Sequence, residues 1–332
     1  GRQTLAFSEP PVMLGYANAV GKKEGEGPLR TCFDYIAEDD TFGQSSWEKA
    51  EQTMQKQALT LALDKCGLTV PQMDFLFAGD LLNQCIGSSY AARGQDVPYF
   101  GLYGACSTMG EGLILAAMAL DGGFGQKVAA VASSHFCSAE RQYRMPVPYG
   151  SQRAPTAQWT ATAAGCCILG AQGDGPYVTH VTCGRIVDMG IIDPNNMGAA
   201  MAPAACDTLT AHFRETGRTP ADYDLIVTGD LGQLGKEALL ELSRLDGLSL
   251  GGKLTDCGTL VFDNTVQDVH AGGSGCGCSA ITLCGYLLGK LKTGKLRRIL
   301  FCGTGALLSP TSTQQGLPIP GVCHAVCITG GN

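Results

Sequence analysis

One structural plan occurs twice along this chain, and that constrains the fold more than any single motif. PQMDFLFAGDLL (71–82) resembles PADYDLIVTGDLG (220–232): proline, aspartate, apolar or small residues, then Gly-Asp-Leu. Asp74 to Asp80 and Asp224 to Asp230 have the same spacing. GACSTMGEGLILAAMAL (104–120) parallels SGCGCSAITLCGYLLG (274–289), small residues with cysteine followed by an apolar helical run. KVAAVASSH (127–135) parallels RRILFCGTG (297–305), and Cys106 to Val128 spans 22 residues, as does Cys276 to Arg298. Three matches in one order are the mark of a duplication.

Each half reads as helix, strand, glycine-rich turn, helix, strand. Ser45-x-x-Glu48 predicts a capping box opening a helix that Gly67 closes, with Trp47, Met54, Ala58 and Leu61 along one stripe. The segments 113–120 and 280–288 are apolar all round and too short to span a membrane, so protein must cover them on every side. Two such helices between layers of sheet predict an α/β protein of five alternating layers, αβαβα. QGDGP divides the halves near 175–180, giving an N-terminal half over 1–175 and a C-terminal half over 176–332. The glycine-rich GKKEGEGPL (21–29) reads as a flexible loop.

A formal charge of −7 with 23 scattered Lys and Arg residues argues against a nucleic-acid partner, and two tryptophans offer no stacking platform. The 16 cysteines lack CxxC pairs and include the close neighbours Cys166–Cys167 and Cys276–Cys278. They read as small buried residues in a reducing compartment rather than as disulfides or a zinc site. GLSLGGKL (247–254) approaches a phosphate loop but has Leu254 where the magnesium-binding hydroxyl belongs, and is rejected.

YGACSTMGEG (103–112) places Cys106 on a strand-to-helix turn, where a helix N-terminus favours thiolate. His135 ends a strand nearby, and Arg141 and Arg144, three apart, are spaced to share one face. His270 reads as structural, and His180, His212 and His324 as ordinary.

The two halves, the cysteine turn and GGSGCGCSA resemble the thiolase and ketoacyl-synthase superfamily. More closely, AGDLLNQ, GACSTM, ASSHFCSAERQYR, MGAAMAPAACDT, DYDLIVTGDL, AGGSGCGCSA and TGALLSPT resemble the stage V sporulation protein AD family of spore-forming Firmicutes over nearly the whole chain. The resemblance implies binding of dipicolinic acid (pyridine-2,6-dicarboxylate), or its calcium chelate, as that compound moves into the developing spore. It also implies integral membrane partners of a dipicolinate channel, and a cytoplasmic protein peripheral to the spore inner membrane. A homodimer paired through an edge strand near Val97–Leu102 is a further implication. Calcium is expected only with the ligand; no other cofactor and no resident metal are.

In the superfamily's condensing enzymes a cysteine nucleophile works with two partners. Here Cys106 keeps the cysteine position, Asp230 and Leu231 stand where the first histidine belongs, and Ser274 where the second histidine or asparagine belongs. Without an imidazole, acyl transfer is expected to be lost, which makes the chain a pseudo-enzyme with no catalytic residue. The alternative is a thioester-dependent condensing enzyme using Cys106. The predicted ligand site comprises Cys106, Ser134, His135, Asn83, Asp230, Gly273, Ser274 and Gly275, with Arg141 and Arg144, and the backbone N–H groups of 273–275 aimed at the ligand.

Overall fold

The two Gly-Asp-Leu runs end matching strands, Phe75–Gly79 and Leu225–Thr228, in a computed structural model that describes residues 1–144 and 153–331. Each lies between a short parallel edge strand, Tyr99–Leu102 or Leu254–Asp256, and a long parallel strand, Lys127–Ser134 or Arg298–Ala306. Each long strand pairs antiparallel with Ala163–Gly170 or Gly321–Thr329. Those in turn pair with an earlier strand of their half, Val12–Val20 or Tyr177–Thr182. These two strands meet at Val12 opposite Tyr177, so one strand order runs outward twice from the centre. The duplication is therefore present in the topology.

The repeated aspartates explain part of the sequence likeness. Asp74 Oδ2 accepts from the backbone N–H of Gln126 and Lys127 at 2.7 and 3.0 Å, and Asp224 Oδ2 from those of Arg297 and Arg298 at 2.6 and 3.0 Å. In each half the carboxylate fastens the strand that follows the central helix. The prolines open short turns closed by reciprocal caps, Thr69 with Gln72 and Thr219 with Asp222.

Helices Trp47–Cys66 and Met197–Thr216 cover the outer faces, the first on Val12–Val20 and Ala163–Gly170, the second on Arg298–Ala306 and Gly321–Thr329. Helix Thr108–Asp121 packs on strands of both halves, and the helical run Cys276–Lys292 on Lys127–Ser134, Ala163–Gly170 and Arg298–Ala306. That yields five layers, αβαβα. Burial on nearly all sides is why Met109, Leu113, Ile114, Ala117 and Leu120 sit together and no polar residue falls between Leu113 and Leu120; Met118 and Asp121, near the end of the helix, emerge. The second central run contains a π-helical turn over Thr282–Leu287, a widening that apolar patterning does not signal.

Two local readings need correction. The outer helix begins one residue later than its capping pattern implies: Ser46 is the N-cap, accepting from Lys49 N at 3.4 Å, while Glu48 pairs with Arg141. Its buried stripe runs through Ala50, Met54, Ala58 and Ala62, with Leu61 half-buried. Residues 21–29 are not a loose loop either, because Lys22–Gly25 is a helical turn that buries Glu24 completely. Glu24 Oε1 accepts from Thr162 N at 3.0 Å, which ties the segment to the core. Every cysteine is a free thiol, twelve of the sixteen being buried.

Candidate functional site

The edge strand Tyr99–Leu102 runs into a tight turn in which Ala105 has φ +50°, a conformation that costs a residue with a side chain on the order of 1 kcal/mol. The turn carries Cys106 onto the floor of a cavity of about 400 Å³. The activating effect of the helix is spent locally: Ser107 N donates to Gly104 O at 3.0 Å and Thr108 N to Ala105 O at 3.3 Å. Burial first, then the neighbouring Asp230 carboxylate, pushes the Cys106 thiol well above its ordinary range.

The second half completes the floor. Ser274 Oγ lies 4.0 Å from Cys106 Sγ and donates to Asp230 Oδ2 at 3.1 Å. Gly275 N donates to the same oxygen at 2.9 Å, and Thr304 Oγ1 to Asp230 Oδ1 at 2.9 Å. Asp230 N in turn donates to Thr304 Oγ1 at 3.0 Å. Asp230 is fully buried, directly beneath the cavity rather than on its wall. Burial raises its carboxyl above the usual range, against the pull of these donors. Gly275 adopts φ +97°, and a Cβ there would meet Ser134 Oγ at 2.6 Å, so the turn that delivers its N–H to Asp230 needs glycine.

The walls are apolar and aromatic: Leu81, Ala139, Ala306, Leu308 and Met197, with Tyr103 and Tyr143 sharing a 2.7 Å contact between their hydroxyls. Tyr143 also donates to Leu81 O. Arg153, Glu140 and Asn195 bring the polar groups to the lining. The Arg153 guanidinium lies 5.0 Å from the Trp159 ring and donates to Asp268 O at 3.4 Å.

Cys106 and Ser274 thus line one cavity, with Asp230 under them, and other members of the predicted site go elsewhere. Ser134 Oγ donates to Ala161 O at 2.7 Å and accepts from Gly277 N at 3.2 Å, so it joins strand to central helix and leaves nothing for a ligand. His135 points to the other side: Nδ1 accepts from Cys137 N at 3.2 Å, which leaves Nε2–H to donate to Asp40 O at 2.8 Å, and the ring packs on Trp47. Burial lowers its pKa, as suits a neutral structural histidine. Asn83 and Arg141 line a separate outer groove, where Asn83 N donates to Gln142 Oε1 at 2.8 Å and Arg141 pairs with Glu48. Arg144 ends helix Phe136–Arg144, and its side chain lies outside the described residues. Gly273 pairs with Trp159 in a short ladder and its carbonyl accepts from Gln158 Nε2 at 2.9 Å. The Gly275 N–H, expected to face a ligand, is taken by Asp230.

Asp80 differs from its repeat partner Asp230. It accepts from Leu82 N, Ser88 N and Ser88 Oγ at 2.8, 2.7 and 2.6 Å, turned away from the cavity. His270 holds a turn through Ala154 O at 2.9 Å, and Lys253, from the rejected phosphate loop, donates to Tyr223 O at 2.9 Å. Thr304, Arg153, Asn195 and the Tyr103–Tyr143 pair escape sequence reasoning. Only Thr304 carries a signal, since GTG in the second half aligns with the strand end SSH in the first.

The family model described as stage V sporulation protein AD (SpoVAD) matches residues 1–329. The chain belongs to the stage V sporulation protein AD family. It is 42% identical over 326 residues to the stage V sporulation protein AD of Bacillus subtilis (strain 168), covering 98% of this chain and 96% of that protein. Solved structures similar to this family member include 3-oxoacyl-[acyl-carrier-protein] synthase III from Aquifex aeolicus VF5, with TM-score 0.59, 14% identity, and coverage of 96% of this chain and 99% of that one. Cerulenin-bound OleA of Xanthomonas campestris has TM-score 0.63 and 16% identity, with 98% of each chain covered. These likenesses establish the thiolase-like fold of a sporulation protein.

Proposed function

We propose that this stage V sporulation protein AD family member binds dipicolinate, or its calcium chelate, without transforming it, in the cavity floored by Cys106 and Ser274. The observation that carries the reading is the buried Asp230 carboxylate beside the Cys106 thiol. A condensing enzyme needs a base and an oxyanion donor at its cysteine. A carboxylate there opposes thiolate and repels an oxyanion, so the cavity serves to hold a ligand rather than to attack one.

The walls suit a flat aromatic dianion. Tyr103, Tyr143 and Leu308 offer faces to a ring, and Arg153 and Asn195 offer donors to carboxylates. Glu140 gives the lining a carboxylate for the metal of a chelate, and calcium is expected to tighten binding. In this reading the protein works at the spore inner membrane by docking to integral membrane partners; among the described residues no helix is long and apolar enough to cross a membrane.

Calorimetry with dipicolinate, with and without calcium, tests the proposal. Arg153→Ala and Ser274→Leu are expected to weaken binding by about tenfold or more, the loss of a charge-assisted contact or a blocked floor. His135→Ala, which faces away from the cavity, is expected to leave it unchanged. No heat in the unmodified protein removes the reading, and unaltered affinity in both cavity variants moves the site elsewhere.

A further inference from the structure

We infer that Asp230 is a resident anion that fills the donor set at the cavity floor, and so fixes how far, and which way round, an anionic ligand enters. Ser274 Oγ, Gly275 N and Thr304 Oγ1 all donate to its two oxygens at 2.9–3.1 Å, and the Cys106 thiol hydrogen-bonds to it as well. A hydroxyl and a backbone N–H at a glycine turn on one oxygen, and a second hydroxyl on the other, form a carboxylate-binding site. Here the bound carboxylate belongs to the chain itself. Asp230 has no solvent exposure, and it hydrogen-bonds with Ser274 and Cys106, which line the cavity.

Two consequences follow for the proposed ligand, and these rest on the dipicolinate reading. With the floor donors engaged, a ligand carboxylate gains nothing by descending and meets a like charge one layer below. The ring therefore enters with its unsubstituted edge toward Cys106 and both carboxylates toward Arg153 and Asn195 in the walls. Asp230 becomes a specificity-determining residue, selecting against aromatic acids that carry a carboxylate opposite the chelating pair.

The test has two arms. Asp230→Ala deletes the resident carboxylate and leaves its donors, so formate should raise the melting temperature of this variant saturably. Chloride at the same ionic strength should not, and neither the unmodified protein nor Asp230→Asn should respond. If Asp230→Ala does not fold, the readout is recovery of folded protein on refolding in formate against chloride. An Asp230→Ala protein indifferent to formate in whichever of these assays applies overturns the assignment. In the second arm, dipicolinate and pyridine-2,4,6-tricarboxylate are titrated into the unmodified protein and Asp230→Asn. The unmodified protein is expected to prefer dipicolinate by about tenfold or more, and Asp230→Asn to narrow that preference, because a like-charge contact is removed. An equal preference in both proteins overturns the orientation. Failure of dipicolinate to bind at all overturns the proposed function instead, and the formate arm still decides the role of Asp230.

Discussion

A thiol beside a helix N-terminus is ordinarily easier to ionise, and the turn at Cys106 looks built for that. Its neighbours reverse the effect: Ser107 N and Thr108 N are engaged by Gly104 O and Ala105 O, and Asp230 adds negative charge to a dry site. Cys106 is therefore expected to stay unmodified when the protein is incubated with acetyl- or malonyl-thioesters. Intact-mass spectrometry reads this directly, and a stable acyl adduct that disappears in Cys106→Ser would show working acyl chemistry. Glu24 supplies a second prediction at this scale. It is fully buried, its Oε2 has no partner among the described residues, and burial pushes its carboxyl up to about 8. The unfolded chain releases that proton near 4.5. The buried neutral form thus contributes its full stability below about pH 4.5, and the contribution is lost as pH rises toward about 8. Glu24→Gln, which cannot ionise, is expected to flatten the decline in unfolding free energy, measured by urea titration between pH 5 and 8, by on the order of a few kcal/mol at the alkaline end. Parallel profiles for the two proteins would contradict it.

Elements whose signal is local were legible, and those whose orientation depends on distant packing were not. The outer helix and its Gly67 stop follow from spacing and a left-handed cap. The central helices follow from their lack of a polar face, and the strands from the repeated Asp and Gly-Asp-Leu. Arg141 shows the limit. Its spacing from Arg144 places them near one face of a helix, but nothing in the spacing tells which way that face turns, and the helix spends Arg141 on Glu48. His135 likewise follows its strand to the right place and then points the wrong way, toward Asp40 and Trp47. Arg153 and Asn195 come from irregular segments, where periodicity carries no information. Gly275 joins the two scales, since its φ and its approach to Ser134 set the whole turn. Gly275→Ala is expected to destabilise the protein by about 2–4 kcal/mol, from backbone strain plus a forced contact in a packed layer. Urea unfolding measures it, and a loss below about 0.5 kcal/mol, the size of an ordinary surface change, would contradict the assigned geometry.

Among the described residues, the main strand order ends at Leu254–Asp256 on one side of the molecule and at Tyr99–Leu102 on the other. The second is the more exposed to association. Among the described residues its only ladder is with Phe75–Gly79, Phe100 is 50% exposed at its centre, and Tyr90 and Tyr103 are exposed nearby. An apolar edge strand left in water invites pairing, and native proteins cover such edges. A two-fold axis perpendicular to this strand would align it antiparallel with its copy, bury both Phe100 rings, and bring the two Cys106 turns, which leave the same strand, toward the same interface. A homodimer is accordingly expected at micromolar concentration. Phe100→Asp, which sets a charge at the centre of that edge, lies outside the cavity lining and gives up only the ring contacts with Phe75 and Phe77, is expected to shift the protein to monomer with the fold intact by circular dichroism. Light scattering distinguishes the outcomes. A monomeric unmodified protein would remove the dimer, and a Phe100→Asp variant that stays dimeric would place the contact on another face.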